Sequence, residues 1–193
     1  AKRELRECDP DAVQAALDVW VENLDAKDPE FRHQQLEAVW MYRGIERVKK
    51  ELLAELLVCE VPQARAAAAK QLRYWFPELP NATELLQERA NDEDATVRLQ
   101  AAIAASYFGT EEALVAMLDT LDHPKGGHLA YGIRTSLGSR TLKPLWQGNE
   151  AFNAAHPKLN EFLGEFEQSQ KTKPTKRSAG DANFDSQKGL KTV

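Results

Sequence analysis

The side chains with the clearest capacity for metal chemistry are four histidines, His33, His123, His128 and His156. His123 and His128 stand five residues apart across Gly126-Gly127, with no companion carboxylate motif, so their spacing makes a poor metal centre. Cys8 and Cys59 are the two cysteines, and neither a CxxC nor a CxxCH occurs. That excludes a cysteine-ligated zinc finger and a c-type haem attachment site within this chain. Both read as small apolar fillers; a disulfide is the alternative, and its geometry is not testable from spacing. Lys125-Gly126-Gly127 is too short for a phosphate loop and follows no strand. Ser106, Ser136 and Ser139 lie in no GxSxG elbow. Glu111-Glu112 fall in a first helical turn, where carboxylates favour the helix dipole without any catalytic duty. The expectation is a chain with no catalytic residue, no cofactor and no metal of its own.

What remains is recognition chemistry. Tyr74-Trp75-Phe76, with Trp40 and Tyr42, concentrate aromatic surface. Most of it reads as core, but Tyr42, Arg73 and Tyr74 are candidates for a partner surface, because tyrosine and arginine are enriched where proteins meet.

The elements that must position these residues are helices. Ala and Leu are abundant while Gly and β-branched residues are sparse, which favours helix over sheet. Asp9-Pro10 starts a helix with a cap and a proline at the first position, and Val13, Leu17, Trp20 and Leu24 then fall on one face. The same start recurs at Asp28-Pro29, with a stop expected at Gly44. Further helices are expected over about 45–57, from Pro62 to Phe76, from an Asn81–Glu84 capping box to Ala90, from Asp94 to Phe108, and from Thr110. A divergent helix through Leu129, Ile133 and Leu137 follows His123-Pro124, and a last one spans Asn153–Phe166.

Charge divides the chain in two. Residues 169–193 carry six Lys/Arg against two Asp, a net of +4, which leaves −9 for residues 1–168. An acidic body repels nucleic-acid phosphate. The basic segment, almost free of apolar residues, reads as a flexible linker. No run of residues approaches the roughly 18 apolar positions of a membrane span. The chain opens at Ala1 without an initiator Met, which reads as a segment of something longer and leaves the compartment open.

The helices repeat. Asp92-Glu93-Asp94-Ala95-Thr96-Val97-Arg98-Leu99-Gln100-Ala101-Ala102 is matched 33 residues earlier by Val61-Pro62-Gln63-Ala64-Arg65-Ala66-Ala67-Ala68-Ala69, with Arg65 against Arg98. Another 33 residues back lies Arg32, in a looser match. A period of this size means stacked helix pairs, in which small residues let neighbours approach and the core is shared along the stack. Asp94 is expected to cap its helix, and Arg65 and Arg98 to bridge to the acidic turn of the next repeat.

The acidic turn, Val-Arg and the small residues after it resemble the second-helix signature of HEAT repeats. Further anchors make the likeness more specific: Ala1-Lys2-Arg3-Glu4-Leu5-Arg6, Trp20-Val21-Glu22-Asn23-Leu24-Asp25, Leu36-Glu37-Ala38-Val39-Trp40, and Leu121-Asp122-His123-Pro124. With these, residues 1–146 resemble the HEAT region of the large, exported membrane-bound dehydrogenase-like proteins of planctomycetes. The resemblance implies an upstream β-propeller like those of sugar dehydrogenases, and a downstream cytochrome c or blue-copper cupredoxin module. Gly189-Leu190-Lys191-Thr192-Val193 resembles the lead into a cupredoxin. Lys125-Gly126-Gly127 departs from the family, whose fourth repeat often carries an acid after the proline.

The resulting expectation is an all-α, right-handed α-solenoid of about four HEAT-like helix pairs over residues 1–168, followed by a disordered basic tail over 169–193. Its role is a non-catalytic scaffold that spaces redox modules of an exported or periplasmic protein. Its partners are other domains of the same polypeptide or a separate protein, with no nucleic acid and no membrane insertion. Second helices line the concave face of such solenoids, which puts Arg73 and Tyr74 near that face. The rival readings are a HEAT-like bilin lyase and a HEAT-type DNA-repair glycosylase; the latter needs a basic concave face, against which the −9 body argues.

Overall fold

A computed structural model describes residues 2–5 and 7–172, with side chains placed for 4, 5 and 7–168. Among the described residues every regular element is a helix. Four pairs make up the stack: α2 (Pro10–Glu22) with α3 (Phe31–Gly44), α4 (Lys50–Leu57) with α5 (Pro62–Trp75), α6 (Ala82–Ala90) with α7 (Ala95–Phe108), and α8 (Glu111–Leu118) with α9 (Gly127–Leu137). A short α1 (Lys2–Leu5) packs on α3. Beyond the stack come α10 (Lys143–Trp146), α11 (Glu150–Ala155) and α12 (Pro157–Thr172). The all-α solenoid expected from the 33-residue period is therefore present. The helix reaches Thr172, four residues past the expected boundary at 168, and the basic segment 173–193 lies outside the described residues.

The second helices form one layer, α3 on α5, α5 on α7 and α7 on α9, while α6 packs on α8 behind them. Small residues make this stacking close. Ala64, Ala68 and Ala69 of α5 and Ala101, Ala104 and Ala105 of α7 are all buried, together with Leu53, Leu56, Leu72, Leu86 and Leu114. The core is continuous along the stack and has no boundary between repeats.

Most helix starts follow the expected chemistry. Asp94 Oδ1 accepts from the backbone N–H of Thr96 at 2.7 Å and of Val97 at 3.2 Å. Thr110 Oγ1 accepts from Ala113 N–H at 3.2 Å, and Asp9 Oδ2 from Ala12 N–H at 3.2 Å. Gly109 closes α7 in the left-handed conformation, at φ 68°.

Four local expectations are corrected. Asn81 makes no side-chain cap on α6, so the capping box does not form. Asp28-Pro29 does not start α3; Asp28 instead closes a turn, with Oδ1 accepting from Glu30 N–H at 2.8 Å and Oδ2 from Gln34 Nε2 at 3.0 Å. α3 stops at Gly44 as expected, and the turn that follows closes two residues on. Glu46 takes the left-handed conformation at φ 57°, its N–H donates to Arg43 O, and Arg47 N–H donates to Tyr42 O at 2.9 Å. This is the Schellman pair of bonds with glutamate where glycine is usual. The chain then stays non-helical to Lys49, so the helix expected from 45 begins only at Lys50. Finally, the single helix expected over Asn153–Phe166 is broken at His156-Pro157, because proline at the first position of α12 ends α11 before it.

Candidate binding face

The repeated arginines hold the stack in register. Arg65 of α5 is buried and grips Asp92 in the turn of the next repeat, Nε to Oδ2 at 2.9 Å and Nη2 to Oδ1 at 3.0 Å. It also donates to Glu93 Oε1 at 3.1 Å and to its own repeat's Cys59 carbonyl at 2.9 Å. Burial by itself would push the Asp92 carboxyl up. Its bonds from Arg65 and from the Asp94 backbone N–H outweigh that and hold it below the ordinary carboxylate value.

Arg32 makes the equivalent rung one repeat earlier, donating to Glu60 Oε2 at 3.0 Å and Glu55 Oε1 at 2.6 Å. The match that is loose in sequence is thus a full rung in space. Arg98 corrects the expectation in the other direction. It too reaches the next turn, but through the Pro124 carbonyl at 3.1 Å, and its other bonds go to the carbonyls of Asp92 and Glu93. The acid of that turn, Asp122, is taken by Lys158 of α12 at 2.8 Å. These arginines are occupied in structure.

Tyr42 is not on a surface. Its side chain is 0% exposed, and its hydroxyl donates to Asp18 Oδ1 at 2.6 Å. Lys49 Nζ reaches the same Asp18 oxygen at 2.6 Å. Burial, then Asp18, push the Tyr42 phenol well up, while hydrogen bonds from Lys49 and Tyr42 hold the Asp18 carboxyl down. Tyr42 therefore pins α3 to α2 and leaves the set of candidate partner residues.

Arg73 and Tyr74 do lie at an open face, and other residues join them. Tyr74 is 45% exposed, Tyr107 of α7 is 50% and Tyr131 of α9 is 66%. Arg43 of α3 lies over the Tyr74 ring at 4.4 Å, and Arg73 lies between the rings of Tyr74 at 5.6 Å and Tyr107 at 5.4 Å. Arg73 Nη2 also donates to Gln100 Oε1 at 3.1 Å, which ties α5 to α7. The row then opens on a cleft of about 650 Å³ between α7 and α9, lined by Leu99, Ile103, Tyr107, His128, Tyr131 and Thr135 among others. A second cleft of about 360 Å³ lies at the other end, between α3 and α5 beside Arg43.

The charges of this face are one-sided. α5, α7 and α9 contain no Asp or Glu, although they come from an acidic body. α3 has one, Glu37. The first helices carry the acids instead: Glu51 and Glu55 on α4, Glu84 and Glu88 on α6, Glu111 and Glu112 on α8.

Tyr107 was within reach of the sequence. The 33-residue register that aligns Arg65 with Arg98 also aligns Tyr74 with Tyr107, and aligns Tyr42 with the buried Trp75. Reading the register through to the helix ends would have added the one and removed the other.

The histidines stay apart. His123 Nε2 sits 3.1 Å from Asn91 Oδ1, His128 lines the α7–α9 cleft, and His156 stacks on Phe152. Among the described residues no group of three His, Cys, Asp or Glu is placed to hold a metal ion. None of the described helices is long and apolar enough to cross a membrane.

Comparison with known proteins agrees with the stack. No curated protein and no solved structure matches the chain. Residues 50–138, the stretch that runs from α4 through α9 and contains Arg65, Arg98, Tyr74 and Tyr107, match the family model of HEAT repeats.

Proposed function

We propose that this domain is a docking scaffold without a catalytic step of its own, and that the layer of second helices α3, α5, α7 and α9 is its docking face. The observation that carries this reading is the Arg43–Tyr74–Arg73–Tyr107 row, whose tyrosines are exposed, whose arginines are half-buried and which is flanked by two clefts. Rigid aromatic and arginine side chains on a fixed helical layer are the anchors that protein interfaces use. HEAT repeats serve such a role by presenting one long face of a stack.

The resemblance of residues 1–146 to exported dehydrogenase-like proteins supports a finer reading. In it the scaffold spaces a sugar-dehydrogenase-like propeller and a cytochrome c or cupredoxin module of one longer, exported polypeptide. Sequencing the parent reading frame tests that part: a propeller upstream with a CxxCH or copper-ligand set downstream supports it, and a free-standing frame ends it.

The docking face is tested by photo-crosslinking in the source cell. A benzophenone amino acid at Tyr107 is expected to give adducts with a defined protein or with another domain of the parent. The same probe at Glu88, on α6 behind the layer, is expected to give none. Equal labelling from both positions would remove the second-helix layer as the docking face.

A further inference from the structure

We infer that the cleft between α7 and α9 seats an uncharged, proline-containing peptide segment in extended conformation, packed on Tyr107 and Tyr131. The inference rests on the second-helix layer being the docking face, and it supplies the chemistry of the partner.

The cleft encloses about 650 Å³, within the range of about 300–1,000 Å³ that ligand sites occupy. It has an apolar strip, in which Leu99 lies against Gly132 and Ile103 follows one turn along α7. Tyr107 and Tyr131 line it as well, one from each helix, at 50% and 66% exposure. Aromatic rings left open to water beside an apolar strip are the material of a contact surface.

The lining carries no Lys, Arg, Asp or Glu. Clefts elsewhere on the described stack do: Arg43 and Lys70 between α3 and α5, Glu111 and Glu112 between α6 and α8, Lys125 and Glu165 beside α12. A ligand charge placed between α7 and α9 would lose water and meet no countercharge, so the cleft selects an uncharged segment.

The hydroxyls bear on its conformation. Thr135 Oγ1 donates to Tyr131 O at 2.8 Å and Ser106 Oγ to Ile103 O at 2.7 Å, so each proton is spent within its own helix. What these oxygens offer a ligand is a lone pair, which takes an N–H. A helical peptide spends its N–H groups on itself, and a strand needs a sheet edge that a layer of helices does not have. A polyproline II segment makes no internal hydrogen bonds and lays proline rings on aromatic side chains. The residues between its prolines supply the N–H groups. From the cleft the face runs on to Arg73 and Tyr74, a linear track for such a chain, with Arg73 placed to donate to peptide carbonyls.

The test uses the full 193-residue chain. Random peptides of about twelve residues, displayed on phage, are selected on it after depletion on the Tyr107→Ala/Tyr131→Ala double variant. Both tyrosines are exposed, so that variant should keep the parent's urea midpoint. Selected sequences are expected to carry repeated prolines with uncharged neighbours. Made as fluorescein-labelled peptides, they should bind the parent at least about tenfold more tightly than the double variant by fluorescence anisotropy. Thr135→Arg brings a charge into the cleft from an exposed position, and should weaken the same peptides by about tenfold with its fold intact.

No enrichment over the double variant would overturn the seat. So would selected sequences that are charged, or that show the i, i+3, i+4 apolar spacing of a helix without proline. Unchanged affinity in Thr135→Arg, or binding of maltohexaose where no peptide binds, would overturn it too. Selection reads the cleft and crosslinking reads the face, so the two proposals fail separately. If Tyr107 crosslinks and no peptide discriminates, the face stands and the seat falls; if peptides discriminate while Tyr107 and Glu88 label equally, the layer is no docking face and the cleft remains a peptide site alone.

Discussion

Arg65 and Asp92 are 27 residues apart in sequence and joined by two parallel hydrogen bonds, both partners almost fully shielded from water. Removing Arg65 leaves the buried Asp92 carboxylate with only the Asp94 N–H, at 2.9 Å, and the more distant Arg89 guanidinium, at 3.9 Å, to hold it. Arg65→Ala is therefore expected to lose about 3–5 kcal/mol of unfolding free energy. Arg32→Ala breaks the equivalent rung, but the carboxylates of Glu55 and Glu60 face solvent, so its loss should be much smaller. Urea denaturation of the two variants beside the parent checks the contrast. Equal losses would mean that rung position, and not burial, sets the energy.

Acid should loosen the same rung. The Asp92 and Asp18 carboxyls both lie below the ordinary carboxylate value of 3.8 in the folded chain. The unfolded chain therefore binds protons first as pH falls, and stability rises with pH across that window. Their contribution is complete above the unfolded value and is lost as pH drops through the lower folded values. Urea midpoints should thus be insensitive to these two groups above about pH 5 and decline below about pH 4. Asp92→Asn should start from lower stability near neutrality and show a shallower acid decline. An unchanged decline in that variant would assign the acid sensitivity to other groups.

Gly132 and Leu99 give a prediction with a change of sign. A Cβ at Gly132 would run into Leu99 Cδ1, so α9 approaches α7 through the absence of that atom. Gly132→Ala should destabilise, because displacing the leucine costs about 1–3 kcal/mol against a helix-propensity gain of about 1 kcal/mol. In a Leu99→Ala background the clash is gone, and the same substitution should stabilise by up to about 1 kcal/mol. Thermal or urea unfolding of the four proteins reads the coupling, and a matching sign in both backgrounds would show that the two residues do not meet.

Much of the fold was legible because its causes are local. Capping by Asp94 and Thr110, proline at the starts of α2 and α5, and the alanines between Arg65 and Arg98 each announce a helix or a close approach within a few residues. Where a local signal misled, a longer contact had overruled it. The stretch from Ile45 looks like the start of a helix, yet a turn closes at Glu46, and the Arg47 that follows pairs with Asp11 and Gln14 of α2. Asn81 has the right neighbours for a capping box, but nothing in the sequence fixes its backbone at the start of α6, and its side chain makes no cap.

The candidate face was half legible. Arg73 and Tyr74 are named by their residue types, while Tyr42 has the same types around it and turns inward to Asp18, a partner 24 residues away. The absence of acids from α5, α7 and α9 was present in the letters all along. It gains meaning only once those three helices are known to share a layer.

The seams of the stack are unequal, and this has a mechanical side. The α5–α7 seam is lined by buried alanines, whereas α3 and α5 enclose the cleft beside Trp40, and α7 and α9 the larger one beside Leu99 and Tyr131. A gap removes the dispersion contacts that would resist bending across it. The stack is thus a spring with a stiff middle and a more compliant joint on either side of it, and whatever fills those joints stiffens the whole rod.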